Sequence, residues 1–174
     1  MLYYAICYHR ERPLSLAATP RPKSVDRFWR QVESDPPRAH AHVSLLGLRT
    51  YDAARLHARV RDGLSYEAFE RLRRVLDLPA SRAAEILRIP PRTLARRREA
   101  KRLEADESDR LMRLSRLVGL ALQLFEGDLD EMRSWLTTPH SALAGQAPLE
   151  FATTEIGTRE VEYLIGRLEH GVPL

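Results

Sequence analysis

The sequence predicts an all-α fold, and two observations support this fold class. Apolar residues recur at steps of three and four in most segments, which is the spacing of a helix face. No segment of any length alternates apolar and polar residues as a strand would. At 174 residues, 44% of them hydrophobic, the chain can bury one good core or two small ones.

Residues 1–40 are interpreted as an N-terminal extension that is partly disordered. Prolines among scattered Ser, Thr and Ala residues are typical of a poorly ordered leader over residues 1–24. A short helix is predicted within residues 25–37, with Phe28 and Trp29 on its apolar face. The prolines at the end of this segment terminate it.

Two helices are expected between residues 50 and 79. Thr50 can cap the first helix, which ends near Gly63. Ser65 can cap the second helix, which ends before Pro79.

Residues 80–102, ASRAAEILRIPPRTLARRREAKR, predict a helix-turn-helix. Small and aliphatic side chains have the spacing that lets two short helices pack across a turn. Pro90 and Pro91 break the chain between the helices and fix φ for the first turn of the second. Arg88 occupies the turn, where such sequences often place glycine. A positive φ at Arg88 would cost about 1 kcal/mol, or the turn has a different shape.

The second helix of this motif is crowded with cations, which favours DNA binding. Residues 81–102 hold eight basic and two acidic residues, whereas a solvated helix normally alternates charges to gain i,i+4 pairs. Leu94 and Arg98 are placed on the inner side of the helix. Guanidinium groups can bridge guanine O6 and N7 or clamp a phosphate. The residues expected on the outer, DNA-contacting face are Arg92, Thr93, Arg96, Arg97 and Lys101. The alternative is an ordinary solvated cationic face.

The longest predicted helix covers residues 106–126. It is apolar on most sides and is therefore expected to be buried on most sides. It is the centre of the domain, part of a dimer interface, or both. A further helix is expected from Asp128 to Thr137.

The remaining residues predict a small helical module with an acidic surface. From Glu126 onward there are nine acidic and three basic residues, which suits a basic protein partner or only keeps the surface soluble. Gly157 and Thr158 are expected to precede a final helix, which Gly171 ends. Its apolar face consists of Val161, Leu164, Ile165 and Leu168.

The order of residues in this module resembles a known domain. The residues that carry the resemblance are Trp135, Leu136, Pro139, Ala142, Leu143, Gly145, Pro148, Leu149, Thr154, Gly157, Val161, Leu164 and Gly171. They resemble the toxin-binding domain of the Xre/MbcA/ParS antitoxins, and the segment ILRIPPRTLARR resembles the Xre-like DNA-binding part of the same proteins. The resemblance covers about residues 45–174 and implies a RES–Xre type II toxin–antitoxin system.

The resemblance implies an antitoxin that neutralises a cognate RES-domain toxin, an enzyme that degrades NAD, and represses its own operon. The implied partners are this toxin and operator DNA, with a homodimer and a hetero-oligomer with the toxin. The implied domains are a helix-turn-helix domain over 41–105, a connecting or dimerisation helix over 106–126 and a toxin-binding domain over 127–174. The toxin-binding residues carried over are Tyr163, Arg167, His170, Gly171, Val172, Pro173 and Leu174. A short tail with a terminal carboxylate can enter a cationic, nucleotide-shaped cleft.

Enzymatic, metal-binding and membrane functions are not expected. Cys7 is the only cysteine, which excludes an intrachain disulfide and a Cys-rich zinc site. No Gly-rich phosphate loop occurs, and His40 and His42 have no further ligand at metal-binding spacing. No stretch approaches the ~18 apolar residues of a membrane span, and no signal peptide is recognisable. We therefore expect a cytoplasmic protein without catalytic residues, cofactor or metal.

Two other functions are compatible with the same residues. One is a plain transcriptional regulator whose C-terminal module only dimerises. The other is an adaptor for a protein that is not a toxin, which would bind DNA weakly and without operator preference.

Overall fold

Nine α-helices follow one another along residues 41–171, the part of the chain that the computed structural model describes. They are α1 (Ala41–Leu45), α2 (Ala53–Asp62), α3 (Tyr66–Val75), α4 (Ala80–Ile86), α5 (Pro91–Ala100), α6 (Ala105–Leu124), α7 (Leu129–Thr137), α8 (Pro148–Phe151) and α9 (Glu155–Glu169). No strand occurs in this part, so the all-α prediction is confirmed. The helix expected over 25–37 and the disorder expected in residues 1–40 lie outside the described residues.

The long helix α6 forms the centre of the fold. Helices α1, α2 and α9 pack against it. Leu111, Leu117, Val118 and Ala121 are completely buried, and between residues 111 and 122 only Arg116 is exposed. The expectation that this helix is the centre of the domain is confirmed. Its part in a dimer interface stays a prediction.

Helix α1 packs closely on α6 although the sequence pattern did not predict it. Val43 and Leu45 of α1 are buried, as is Leu46, which directly follows the helix. A Cβ atom at Gly119 of α6 would lie 3.2 Å from the backbone nitrogen of His42, so the missing side chain permits this close approach. Five residues are too few to display a helical period, which explains the missed helix.

The predicted helix-turn-helix is present as α4 and α5, and its turn closes as a Schellman motif. Arg88 has φ 53°. Its N–H donates to the carbonyl of Glu85 at 2.9 Å, and the N–H of Ile89 donates to the carbonyl of Ala84 at 2.8 Å. The positive φ considered for Arg88 is therefore confirmed, and the usual turn shape is kept without glycine.

Three details of helix ends differ from the expectations. Asp52, not Thr50, caps α2, because its carboxylate accepts the N–H of Arg55 at 2.8 Å. Ser65 precedes α3 as expected but makes no side-chain capping bond. Gly157 lies inside the first turn of α9 rather than before it, since Thr154 is the cap and accepts the Gly157 N–H at 3.0 Å.

The C-terminal helices are fixed to the helix-turn-helix part by basic side chains. Arg133 of α7 donates from Nε to the carbonyl of Val75 at 2.7 Å, where the end of α3 carries partial negative charge. Arg82 of α4 pairs with Glu150 of α8 at 2.6 Å. Helix α6 packs against helices from both parts, so it is a shared core element rather than a linker between two separate domains.

Candidate nucleic-acid and protein interfaces

The first turn of α5 is arranged to approach an anionic surface. Pro90 caps the helix and Pro91 occupies its first position. Because the first backbone N–H groups of a helix have no partner inside it, those of Arg92 and Thr93 are available to a phosphate. The side chains of Arg92, Arg96 and Lys101 are exposed, and Thr93 is half-buried.

The exposed cations of α5 are free of carboxylate partners. Within residues 41–171 none of Arg92, Arg96, Arg98 and Lys101 takes part in an ion pair. Arginines of α3, α6 and α9 behave differently, since most of them pair with a carboxylate on their own helix. The outer face of α5 therefore presents full positive charge to a partner without first breaking an internal contact.

Arg97 does not belong to this face, and its assignment to DNA contact is corrected. The residue is 9% exposed, and its Nε lies 3.0 and 2.8 Å from the two carboxylate oxygens of Glu107. A second ion pair joins its Nη1 to Glu104 at 2.8 Å. The hydrogen bond to Glu107 raises the pKa of Arg97 above its ordinary value. Arg98, expected on the inner side, is exposed instead.

Glu107 positions α5, and the sequence analysis did not single it out. Its carboxylate accepts the backbone N–H of Glu104 at 2.8 Å, which completes a capping box at the start of α6. The same carboxylate holds Arg97. Glu107 thereby fixes α5 to the central helix. The capping-box spacing of Glu104 and Glu107 was the available signal.

A second candidate surface lies along the outer side of α9. Ile156 and Tyr163 are 73% and 59% exposed, which is unusual for large apolar side chains. Arg167 and His170 are also exposed. Positions 7, 11 and 14 after Ile156 return to the same side of a helix with 3.6 residues per turn. These four residues are called the outer stripe.

The outer stripe contains three of the seven residues predicted for toxin contact and adds Ile156 to them. Gly171 follows the helix with φ 64°, and Val172, Pro173 and Leu174 lie outside the described residues. Ile156 was not predicted because the resemblance pointed only to the end of the helix. Its seven-residue separation from Tyr163 was the available signal. The opposite face of α9 buries Val161, Leu164 and Ile165 as predicted, whereas Leu168, also predicted for this face, is half-buried.

No group of three His, Cys, Asp or Glu side chains between residues 41 and 171 is placed to hold a metal ion. None of the helices described is both long and apolar enough to span a membrane.

Comparison with protein families places two matches side by side on the chain. Residues 55–116 match the antitoxin Xre-like helix-turn-helix domain. Residues 120–171 match the antitoxin Xre/MbcA/ParS C-terminal toxin-binding domain. The first match contains α5 and the second contains the outer stripe, and the two meet within α6.

Three similar proteins carry the name antitoxin Xre. The protein of Yersinia enterocolitica is 38% identical over 117 residues, which are 65% of this chain and 77% of that protein. The protein of Photorhabdus laumondii is 30% identical, over 73% of this chain and 86% of its own length. The protein of Pseudomonas putida is 32% identical, over 68% and 74% respectively.

Proposed function

Because the chain belongs to the Xre antitoxin family, with an Xre-like helix-turn-helix and a toxin-binding domain, we propose that it inhibits a RES-domain toxin and represses its own operon. The toxin in question is an enzyme that degrades NAD. Inhibition uses residues 127–174, and repression uses the outer face of α5.

The observation that carries the toxin-binding half is the outer stripe of α9. Two large apolar side chains two helical turns apart remain uncovered on a helix whose other face buries Val161, Leu164 and Ile165. Such anchors at i and i+7 are typical of a helix that lies in the groove of a partner protein. Tyr163 offers a large apolar ring with a polar end, a combination enriched at the energetic centre of protein interfaces.

In the proposed complex the outer stripe directs the end of the chain towards the toxin's active site. Gly171, Val172, Pro173 and Leu174 follow directly after the stripe and form the obstructing element. Arg167 and His170 add polar contacts at the same end of the helix. The protein needs no cofactor for this role, because it acts by occupying a surface.

The DNA-binding half of the proposal depends on the free cations of α5. Arg92 and Arg96 contact bases or phosphates in the major groove, with Thr93 beside them and Lys101 at the end of the helix. Arg97 instead keeps α5 in position through Glu107. The protein binds its operator as a homodimer, because one recognition helix covers few base pairs.

Loss of the two apolar anchors is expected to abolish toxin neutralisation. The variant Ile156→Ser with Tyr163→Ser should be co-expressed with the product of the adjacent open reading frame. Each anchor of this kind contributes about 2 kcal/mol, so the double variant should lower the affinity by about 10³-fold. Cell growth, cellular NAD and co-purification are the measurements. Wild type should restore cell growth and the NAD level and should co-purify with the toxin. The variant should do none of these.

Two companion proteins make this experiment decisive. The variant Glu131→Ala changes an exposed side chain of α7 in the same module and should neutralise the toxin like wild type. A chain truncated after His170 tests the tail by itself, and it should bind the toxin through the outer stripe but leave NAD unprotected. If the product of the adjacent open reading frame does not inhibit growth and never co-purifies with this chain, the antitoxin function is contradicted and a plain regulator is favoured.

Removal of the two exposed arginines of α5 is expected to weaken operator binding without affecting the toxin. Each bidentate contact to a base contributes about 1–3 kcal/mol, so Arg92→Ala with Arg96→Ala should lower operator affinity at least about tenfold. Both side chains are exposed and free of ion pairs, so the free energy of unfolding should change by less than about 0.5 kcal/mol. Fluorescence anisotropy with the upstream operator duplex measures the loss, and the toxin assay above serves as control. A double variant that binds operator as tightly as wild type would show that α5 is not the recognition helix.

A further inference from the structure

Helix α2 differs from the helices around it because none of its residues is buried. It packs against α6, and its two large apolar side chains, Leu56 and Val60, are only half-buried. The rest of its circumference faces outward. A helix held by so narrow an apolar contact has most of its surface available for a partner.

The outward surface of α2 carries arginines without carboxylate partners. Arg55, Arg59 and Arg61 are exposed and take part in no ion pair within residues 41–171. The helix holds one acid, Asp62 at its last position, and the carboxylate of the preceding Asp52 is engaged by the N–H of Arg55. Only the outer face of α5 shows a similar set of free cations on a helix of the described chain.

Two hydrogen bonds, one from a side chain and one between backbone groups, join the end of α2 to the end of α5. Arg102 donates from Nε to the carbonyl of Asp62 at 2.9 Å. The N–H of Leu103 donates to the carbonyl of Leu64 at 2.8 Å. Gly63, with φ 92°, allows this approach because a Cβ there would overlap the carbonyl oxygen of Leu103. The free cations of both helices are therefore held in a fixed relation through these ends.

We propose that α2 is a second DNA-contacting element, which binds the phosphate backbone of the duplex beside the site read by α5. This inference rests on the proposed operator binding and adds a surface to it. Ten helical residues extend about 15 Å, a length over which duplex DNA carries about nine phosphate charges. The contact is independent of sequence, because phosphates position a protein without identifying bases. A role in solvation alone would be served equally well by arginines paired with acids, as on α3 and α9.

The test replaces the three arginines of α2 with glutamine and measures affinity over a range of salt concentrations. Arg55→Gln, Arg59→Gln and Arg61→Gln keep the helix propensity while removing charge. The slope of log affinity against log salt should become shallower by about 0.9 for each phosphate that the variant no longer neutralises. Affinity for the operator duplex and for a scrambled duplex of equal length should fall by the same factor, leaving their ratio unchanged.

A matched control removes three exposed arginines that already have carboxylate partners. Arg71→Gln, Arg74→Gln and Arg159→Gln lower the net charge of the protein equally, and the salt slope should stay at the wild-type value. Circular dichroism confirms that both triple variants are folded. An α2 variant whose slope equals that of wild type, or whose weaker binding is confined to the operator duplex, would overturn the role of α2 alone. Wild type that binds neither duplex would overturn this role together with the proposed operator binding.

Discussion

Replacement of Arg97 by alanine is expected to lower the free energy of unfolding by about 3–5 kcal/mol. The guanidinium of Arg97 is the partner of Glu107, whose side chain is 5% exposed, at 2.8 Å. Without Arg97 the carboxylate keeps its capping bond to Glu104 but loses its compensating charge in a buried position. Since a domain of this kind has a total stability of about 5–15 kcal/mol, a large part of it would be lost. Urea denaturation followed by circular dichroism measures the change.

Two variants separate the buried pair from general effects of removing an arginine. Arg96→Ala changes the neighbouring exposed residue and should leave the free energy of unfolding within about 0.5 kcal/mol of wild type. Arg97→Met with Glu107→Gln removes both charges and retains an amide oxygen for the capping bond, so it should recover much of the stability. Both substitutions should weaken DNA binding, but for different reasons: Arg96→Ala removes a contact from a folded protein, whereas Arg97→Ala lowers the fraction of folded protein. If the Arg97→Ala variant is as stable as the Arg96→Ala variant, the buried pair does not stabilise the fold.

The error at Arg97 indicates where sequence information is insufficient for the site. Arg96, Arg97 and Arg98 have the same hydropathy, so Leu94 alone set the phase of α5. Arg98, four residues after Leu94, and Arg97, three residues after it, are equally compatible with the inner face of the helix. The choice between them is made by Glu107, which reaches Arg97 from the next helix. A contact between elements of this kind leaves no periodic signal.

The fold itself was largely predictable because its main helices are long and amphipathic. The central helix was expected at 106–126 and is observed at Ala105–Leu124, and the helix expected from Asp128 to Thr137 begins one residue later. The missed helices α1 and α8 contain five and four residues, and tertiary contacts rather than periodicity determine them. The apolar face of α9 was predicted correctly, whereas its exposed Ile156 was not singled out.

The second large effect is expected at Gly157, where an added methyl group should displace α9 from α8. A Cβ atom at this position would overlap the carbonyl oxygen of Phe151, which is backbone and cannot rotate away. Thr158 holds the same corner, because its single O–H is shared between the carbonyls of Thr154 and Ala152, which lie 2.8 and 3.0 Å from its oxygen. Relief of the overlap must therefore break these hydrogen bonds. We expect Gly157→Ala to lower the free energy of unfolding by about 1–3 kcal/mol.

Gly166 of the same helix provides the matched control and makes the sign of the effect diagnostic. Nothing lies within 4 Å of a Cβ added at Gly166, so Gly166→Ala should raise the free energy of unfolding by about 0.5–1 kcal/mol through helix propensity. The same propensity gain acts at Gly157, so a stabilised Gly157→Ala protein would rule out close packing there. Because the outer stripe depends on the position of α9, Gly157→Ala should also lose toxin neutralisation, while Gly166→Ala retains it. Thermal unfolding and the co-expression assay together measure both consequences.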